Sequence, residues 1–178
     1  NPLPYLMPMA LKASEKGHQH ETKEILDAAQ KVIDKYSLFQ HQEELLHTYL
    51  DYYRHYSRFI DHEKTSKLLV SYYKKADEEI RRDKKTKFTN SMKEDAIEKM
   101  RSVAGFLQVK LARDVKKDES NYKQDELENV LSYFNHLIVL DPARKAEYFY
   151  FRSETYYSVL RFKEAAPSYV ETIEETKR

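Results

Sequence analysis

Glu44 and His47 stand three residues apart, the Glu-x-x-His spacing that puts a carboxylate and an imidazole on one helix face, as di-iron four-helix sites do. Such a site also needs a second copy on a facing helix and two further carboxylates. The helical stripes do not supply that set, so a surface pair is the expectation. The other histidines offer less: His18 and His20 fall in a polar turn, His41 and His62 near expected helix starts, His55 and His136 within helical stripes. Gly17 and Gly105 are isolated, so no loop of glycines lets backbone amides cradle a phosphate. The chain has no cysteine, which removes thiolate catalysis, disulfides and sulfur-ligated zinc. No serine or aspartate sits in a sharp strand-to-helix turn of the hydrolase kind. The expectation is a protein that is not an enzyme, with no catalytic residue, no metal and no cofactor.

Two basic clusters, Arg81 to Lys87 and Arg113 to Lys117, could touch phosphates. Asp83 interrupts the first, and Asp114 and Asp118 lie in or beside the second, so solvated connections are expected there and no nucleic-acid partner. The whole chain carries 31 Lys and Arg against 30 Asp and Glu, a balance that argues against long-range attraction to nucleic acid or anionic lipid. No stretch of about 18 apolar residues exists, so no membrane span is expected. The apolar opening from Asn1 to Ala10 lacks the basic flank of a signal peptide. The chain reads as a piece of a longer protein.

The elements that would position any site are helices. Two glycines and five prolines in 178 residues leave almost none of the turn chemistry that sheets require. Ile25, Leu26, Ala29, Val32, Ile33 and Tyr36 form a stripe at helical spacing, and so do Leu46, Tyr49, Leu50, Tyr53 and Ile60. Leu68, Leu69, Tyr72, Tyr73, Ala76 and Ile80 repeat it before the polar run Arg81 to Asn90, the best candidate for a mobile connection. A second half follows with Ile97, Met100, Val103, Ala104, Leu107 and Leu111, then a charged segment from Arg113 to Gln124, then Leu127, Val130, Leu131, Phe134, Leu137 and Ile138. That last stripe should stop at Asp141, since Pro142 disfavours helix in the residue before it. Pro167 falls within a helical pattern and is expected in or near a first turn, where its missing amide costs least.

From Ala146 to the end, small Ser153, Ala165 and Thr172 alternate with bulky Phe149, Tyr156, Phe162 and Tyr169. With Ala146 as position 1 these occupy positions 8, 20 and 27 and positions 4, 11, 17 and 24 of a 34-residue pattern, and the stretch resembles the tetratricopeptide repeat. Counting from Leu3 gives a weaker unit with Gly17 at the turn position and Pro8 disturbing its first helix. Counting from Leu50 puts Lys64 in place of the turn glycine, and counting from Ile97 requires skipping an insertion around Val115 to Gln124. The resemblance implies an all-α array of antiparallel helix hairpins, about seven to eight helices in a right-handed superhelix. It forms a single domain with units at roughly 3–36, 41–83, 92–142 and 146–178.

Such arrays line a concave groove with positions 2, 5, 9 and 12 of each first helix. The resemblance thereby implies Glu147, Tyr150, Glu154 and Tyr157 in the last unit, Asp51, Arg54, Arg58 and Asp61 in the unit at Leu50, and Glu98, Arg101, Gly105 and Gln108 in the unit at Ile97. Arg54, Arg58, Arg101, Tyr150, Glu154 and Tyr157 are the expected binding residues, because arginine and tyrosine supply much contact energy per side chain. No asparagine stands at position 9, unlike the members that clamp chaperone tails. The expected role is a scaffold for a protein or peptide partner, with self-association as a further option. The alternative is a regulatory or sensory segment of a larger bacterial signalling or transcription-regulating protein.

Overall fold

The computed structural model describes residues 1–83 and 90–178. Among them are eight α-helices, two 3-10 turns and no strand, so the fold is all-α. Most of the polar run expected as a mobile connection, residues 84–89, lies outside the described residues. The chain divides into two compact units, Asn1–Leu69 and Val70–Arg178.

The first unit holds α1 (Leu3–Glu15), α2 (Gln19–Tyr36), α3 (Gln42–His55) and the start of α4 (Phe59–Asp83). Helix α2 buries Thr22, Leu26, Ala29 and Ile33, positions that fall on one face at helical spacing. Against them pack Leu3 and Ala10 of α1 and Leu45, Tyr49, Tyr52 and Tyr53 of α3. The tyrosine hydroxyls reach the core's edge, where Tyr49 donates to Asp27 at 2.6 Å and Tyr52 to the Gln19 carbonyl at 3.2 Å. Gln30 and Gln42 exchange amide hydrogen bonds at 2.8 and 2.9 Å, tying α2 to α3.

The second unit continues α4 and adds α5 (Asn90–Lys117), α6 (Gln124–Leu140), α7 (Lys145–Ser158) and α8 (Phe162–Thr176). Helix α6 ends at Leu140 with Asp141 as its cap, as the following proline requires. The charged segment after Arg113 extends α5 to Lys117 before the chain leaves the helix. Lys110 reaches from α5 to both oxygens of Glu126 on α6 at 2.9 Å. Arg152 links three helices, donating to Asn135 of α6 and Glu171 of α8 while its guanidinium lies 4.6 Å from the Phe149 ring centre. Between α7 and α8 the contact is made by small residues. Ser153 is fully buried and its hydroxyl lies 2.7 Å from Ser168 and 3.2 Å from Thr172.

One device recurs. After α1, α3 and α7 the chain reverses through a single residue at positive φ, namely Gly17 (74°), Ser57 (54°) and Leu160 (62°). Each donates its amide to the carbonyl three residues back, and the next residue donates to the carbonyl five back, which satisfies groups that a helix end leaves without partners. The residue after each turn is His18, Arg58 or Arg161, and it pairs with the acid three residues on, Glu21, Asp61 or Glu164, at 3.1, 2.8 and 2.6 Å. Those acids sit in the first turn of the following helix, where the dipole favours negative charge.

Two expectations change. Lys64 lies inside α4, and the turn of the second hairpin is at Ser57, because the side chain that marks a left-handed residue is serine here and not glycine. Pro167 is the sixth residue of α8, beyond its first turn, and Pro8 is likewise the sixth of α1, which runs on unbroken. The carbonyls that lose a partner belong to Pro4 and Lys163, both exposed residues, where water can take the bond.

Replacing Ser153 tests the close approach of α7 and α8. Ser153→Ala removes hydrogen bonds and should cost about 1 kcal/mol, whereas Ser153→Leu overpacks the contact and should cost about 2 to 3 kcal/mol. Urea unfolding curves of both variants read the difference, and equal losses would contradict the packing account.

Candidate functional site

Each unit contains a cleft edged by the first helices of its hairpins. In the second unit it lies among α5, α6 and α7, a cavity of about 200 Å³ lined by Arg101, Gly105, Gln108, Phe134, Tyr148 and Phe151. Arg101 extends from α5 to α7, donating to Glu147 at 3.0 Å with its guanidinium 5.8 Å from the Tyr148 ring centre. Its other terminal nitrogen, Nη1, is buried without a partner. Gln108, two turns further along α5, donates to the Phe151 carbonyl at 3.1 Å and to Thr155 at 2.9 Å. Gly105 lies between them, and a Cβ there would meet open space, so the glycine widens the cavity mouth without being sterically required.

On α7, Tyr150, Glu154 and Tyr157 are spaced four and three residues apart and share one face. Tyr150 and Tyr157 are 45% and 56% exposed. The Tyr150 ring lies 6.4 Å from that of Tyr169, and Tyr157 meets Phe162 edge-on at 5.6 Å. Tyr169 donates to Glu154. The charge of Glu154 raises the Tyr150 phenol above its ordinary value, while burial and then the bond to Glu154 raise Tyr169. The result is an aromatic strip with a carboxylate at its centre.

The remaining two sequence-expected residues lie in the first unit. Arg54 is exposed in the last turn of α3. Arg58 is exposed too, but it follows the turn residue and is held by Asp61, so it belongs to the hairpin connection and not to a first-helix face. The expected register, counted from Leu50, caused this displacement. Counting back from the turn at Ser57 puts Glu44, His47, Asp51 and Arg54 at positions 2, 5, 9 and 12. His47 is 6% exposed, which makes it a buried residue and not one of a surface pair.

The larger cleft was not foreseen. It measures about 710 Å³ and runs between α1 and α3, with Leu3, Met7 and Leu11 on the α1 side and Glu44, Thr48 and Asp51 on the α3 side. Its nearest signal in the sequence is the pairing of Arg58 with Asp61, which matches the pairing of Arg161 with Glu164 and locates the true turn. Among the described residues no group of three or more His, Asp or Glu side chains is placed to hold a metal ion, and no helix is long and apolar enough to cross a membrane. Protein-family models, curated proteins and solved structures contain no match to this chain.

The floor of the second cleft is pH-sensitive. Burial, together with the hydrogen bond Tyr148 donates to Asp141, pushes the Tyr148 phenol from 10.0 up to about 12. A raised phenol stabilises the fold fully below pH 10, and that contribution is lost as pH rises toward 12. Wild-type protein should therefore lose stability over this window more steeply than Tyr148→Phe, measured by urea titrations at successive pH values.

Proposed function

We propose that the protein is a non-enzymatic scaffold built of tetratricopeptide-like hairpins, of the kind that stacks into a right-handed superhelix and binds a peptide or protein segment along its first-helix faces. The observation that carries this reading is the recurrence of one hairpin design: a first helix, a left-handed residue, a basic or imidazole side chain paired to an acid, and a second helix, at α1–α2, α3–α4 and α7–α8. A hairpin repeated in this way buries its apolar faces on its neighbours and leaves the first-helix faces available. Those faces border both clefts. In the second unit they present Arg101, Tyr150, Glu154 and Tyr157, of which the two tyrosines supply large contact area with few rotatable bonds.

Peptides selected from a displayed random library on the wild-type protein test the reading. The double variant Tyr150→Ala, Tyr157→Ala should lose binding to most of them by tenfold or more, roughly the effect of removing two interface tyrosines, while keeping its helical circular dichroism. Both side chains are about half exposed, so the fold tolerates their loss. Undiminished binding would remove α7 from the recognition surface.

A further inference from the structure

We infer that the cleft between α1 and α3 takes a short peptide segment with apolar side chains along one edge and lysine or arginine along the other. This inference rests on the peptide-scaffold reading and gives it a partner chemistry. At about 710 Å³ the cleft is within the size range of ligand sites and larger than a single side chain needs. Its α1 wall is apolar, with Leu3, Met7 and Leu11, the last 60% exposed. The α3 wall carries the carboxylates Glu44 and Asp51, both on exposed residues, and the lining contains no lysine or arginine. Two imidazoles, His41 and His55, lie at the ends of that wall.

The two walls make different demands on one ligand. Apolar side chains laid on α1 remove Leu11 and Met7 from water, which is favourable in proportion to area. The acidic wall opposes any ligand that would desolvate it without supplying donors. Cations satisfy both conditions, since a lysine or arginine stem packs on apolar surface while its head reaches a carboxylate. Spacing adds a constraint. Glu44 and Asp51 are seven residues apart, about 10.5 Å along the helix, which a peptide in the polyproline II conformation matches with cations three residues apart, about 9 Å and on one side of the chain. Nucleic acid is disfavoured because its phosphates would face carboxylates. The cleft of the second unit is lined by Arg101 and Gln108 in place of acids, so the preference belongs to the α1–α3 cleft.

The test uses two fluorescently labelled peptides with the same leucines, one carrying lysine three residues apart and the other glutamate, read by anisotropy on the full chain. The lysine peptide should bind, more weakly as salt rises, and the glutamate peptide should not. Glu44→Gln with Asp51→Asn should weaken the lysine peptide by about tenfold, the loss of two partly exposed charge pairs. Leu11→Lys, which places a competing cation on the opposite wall, should weaken it as well. Each variant alters exposed side chains, and an unchanged circular dichroism spectrum verifies its fold. Equal binding of the two peptides, or affinity within twofold in the carboxamide variant, would overturn the inference. If library-selected peptides still bind through Tyr150 and Tyr157 while the lysine peptide is ignored, the α1–α3 assignment falls and the scaffold reading stands. If no peptide binds at all, both fall.

Discussion

A helix that must turn back on itself within two residues leaves its last carbonyls without partners, and the way this chain supplies them shapes everything built on it. At Gly17, Ser57 and Leu160 the backbone enters the left-handed region, which lets two successive amides fold back onto the end of the helix just completed. Glycine adopts this conformation without steric cost, whereas leucine there costs on the order of 1 kcal/mol. The chain accepts that cost at Leu160, where α7 and α8 then pack through Ser153, Ser168 and Thr172. Close packing of two helices needs small facing side chains, and the Ser153 hydroxyl lies within hydrogen-bond distance of both Ser168 and Thr172 there.

Tyrosine serves the interior differently. A ring can fill a core position while its hydroxyl reaches a polar group at the boundary. Tyr49 does so toward Asp27, which also takes both hydrogen bonds from Lys23 at 2.7 and 2.9 Å. Burial would raise Asp27, yet these donors outweigh it and hold the carboxyl below its ordinary value. Tyr148 reaches Asp141, the residue that closes α6, so a core ring also anchors the connection between two hairpins. Among the fifteen tyrosines are thus core rings with tethered hydroxyls, such as Tyr49 and Tyr148, and exposed rings such as Tyr150 and Tyr157.

The two clefts carry opposite chemistry on similar supports. Each is edged by first-helix faces, but one is lined by two carboxylates and aliphatic side chains and the other by an arginine, a glutamine and aromatic rings. Arg101 is already committed to Glu147, and the cavity beside it is small. The cleft in the first unit is more than three times larger, and no lysine or arginine lines it. A ligand that binds such a surface gains selectivity from the acidic wall and affinity from the apolar one.

Helical content, the span of the last hairpin and the stop of α6 at Asp141 were legible because they follow from local rules. These are the near absence of glycine and proline, apolar residues recurring every three or four positions, and a proline restricting its predecessor. The same rules misplaced the turn of the second hairpin, since serine at position 57 does not mark a left-handed conformation as glycine would and the periodicity of α3 runs smoothly into that of α4. A seven-residue slip preserves helical phase, so the pattern could not expose the error, and it moved Arg58 from a turn onto a supposed groove. The sequence by itself determined the all-α class and the amphipathic faces, because backbone propensity and hydrophobic spacing are properties of short segments. Only the tertiary structure decided which faces border an open cleft and that Glu44 and Asp51 stand opposite Leu11, because that depends on helices distant in sequence meeting at a register set by the turns between them.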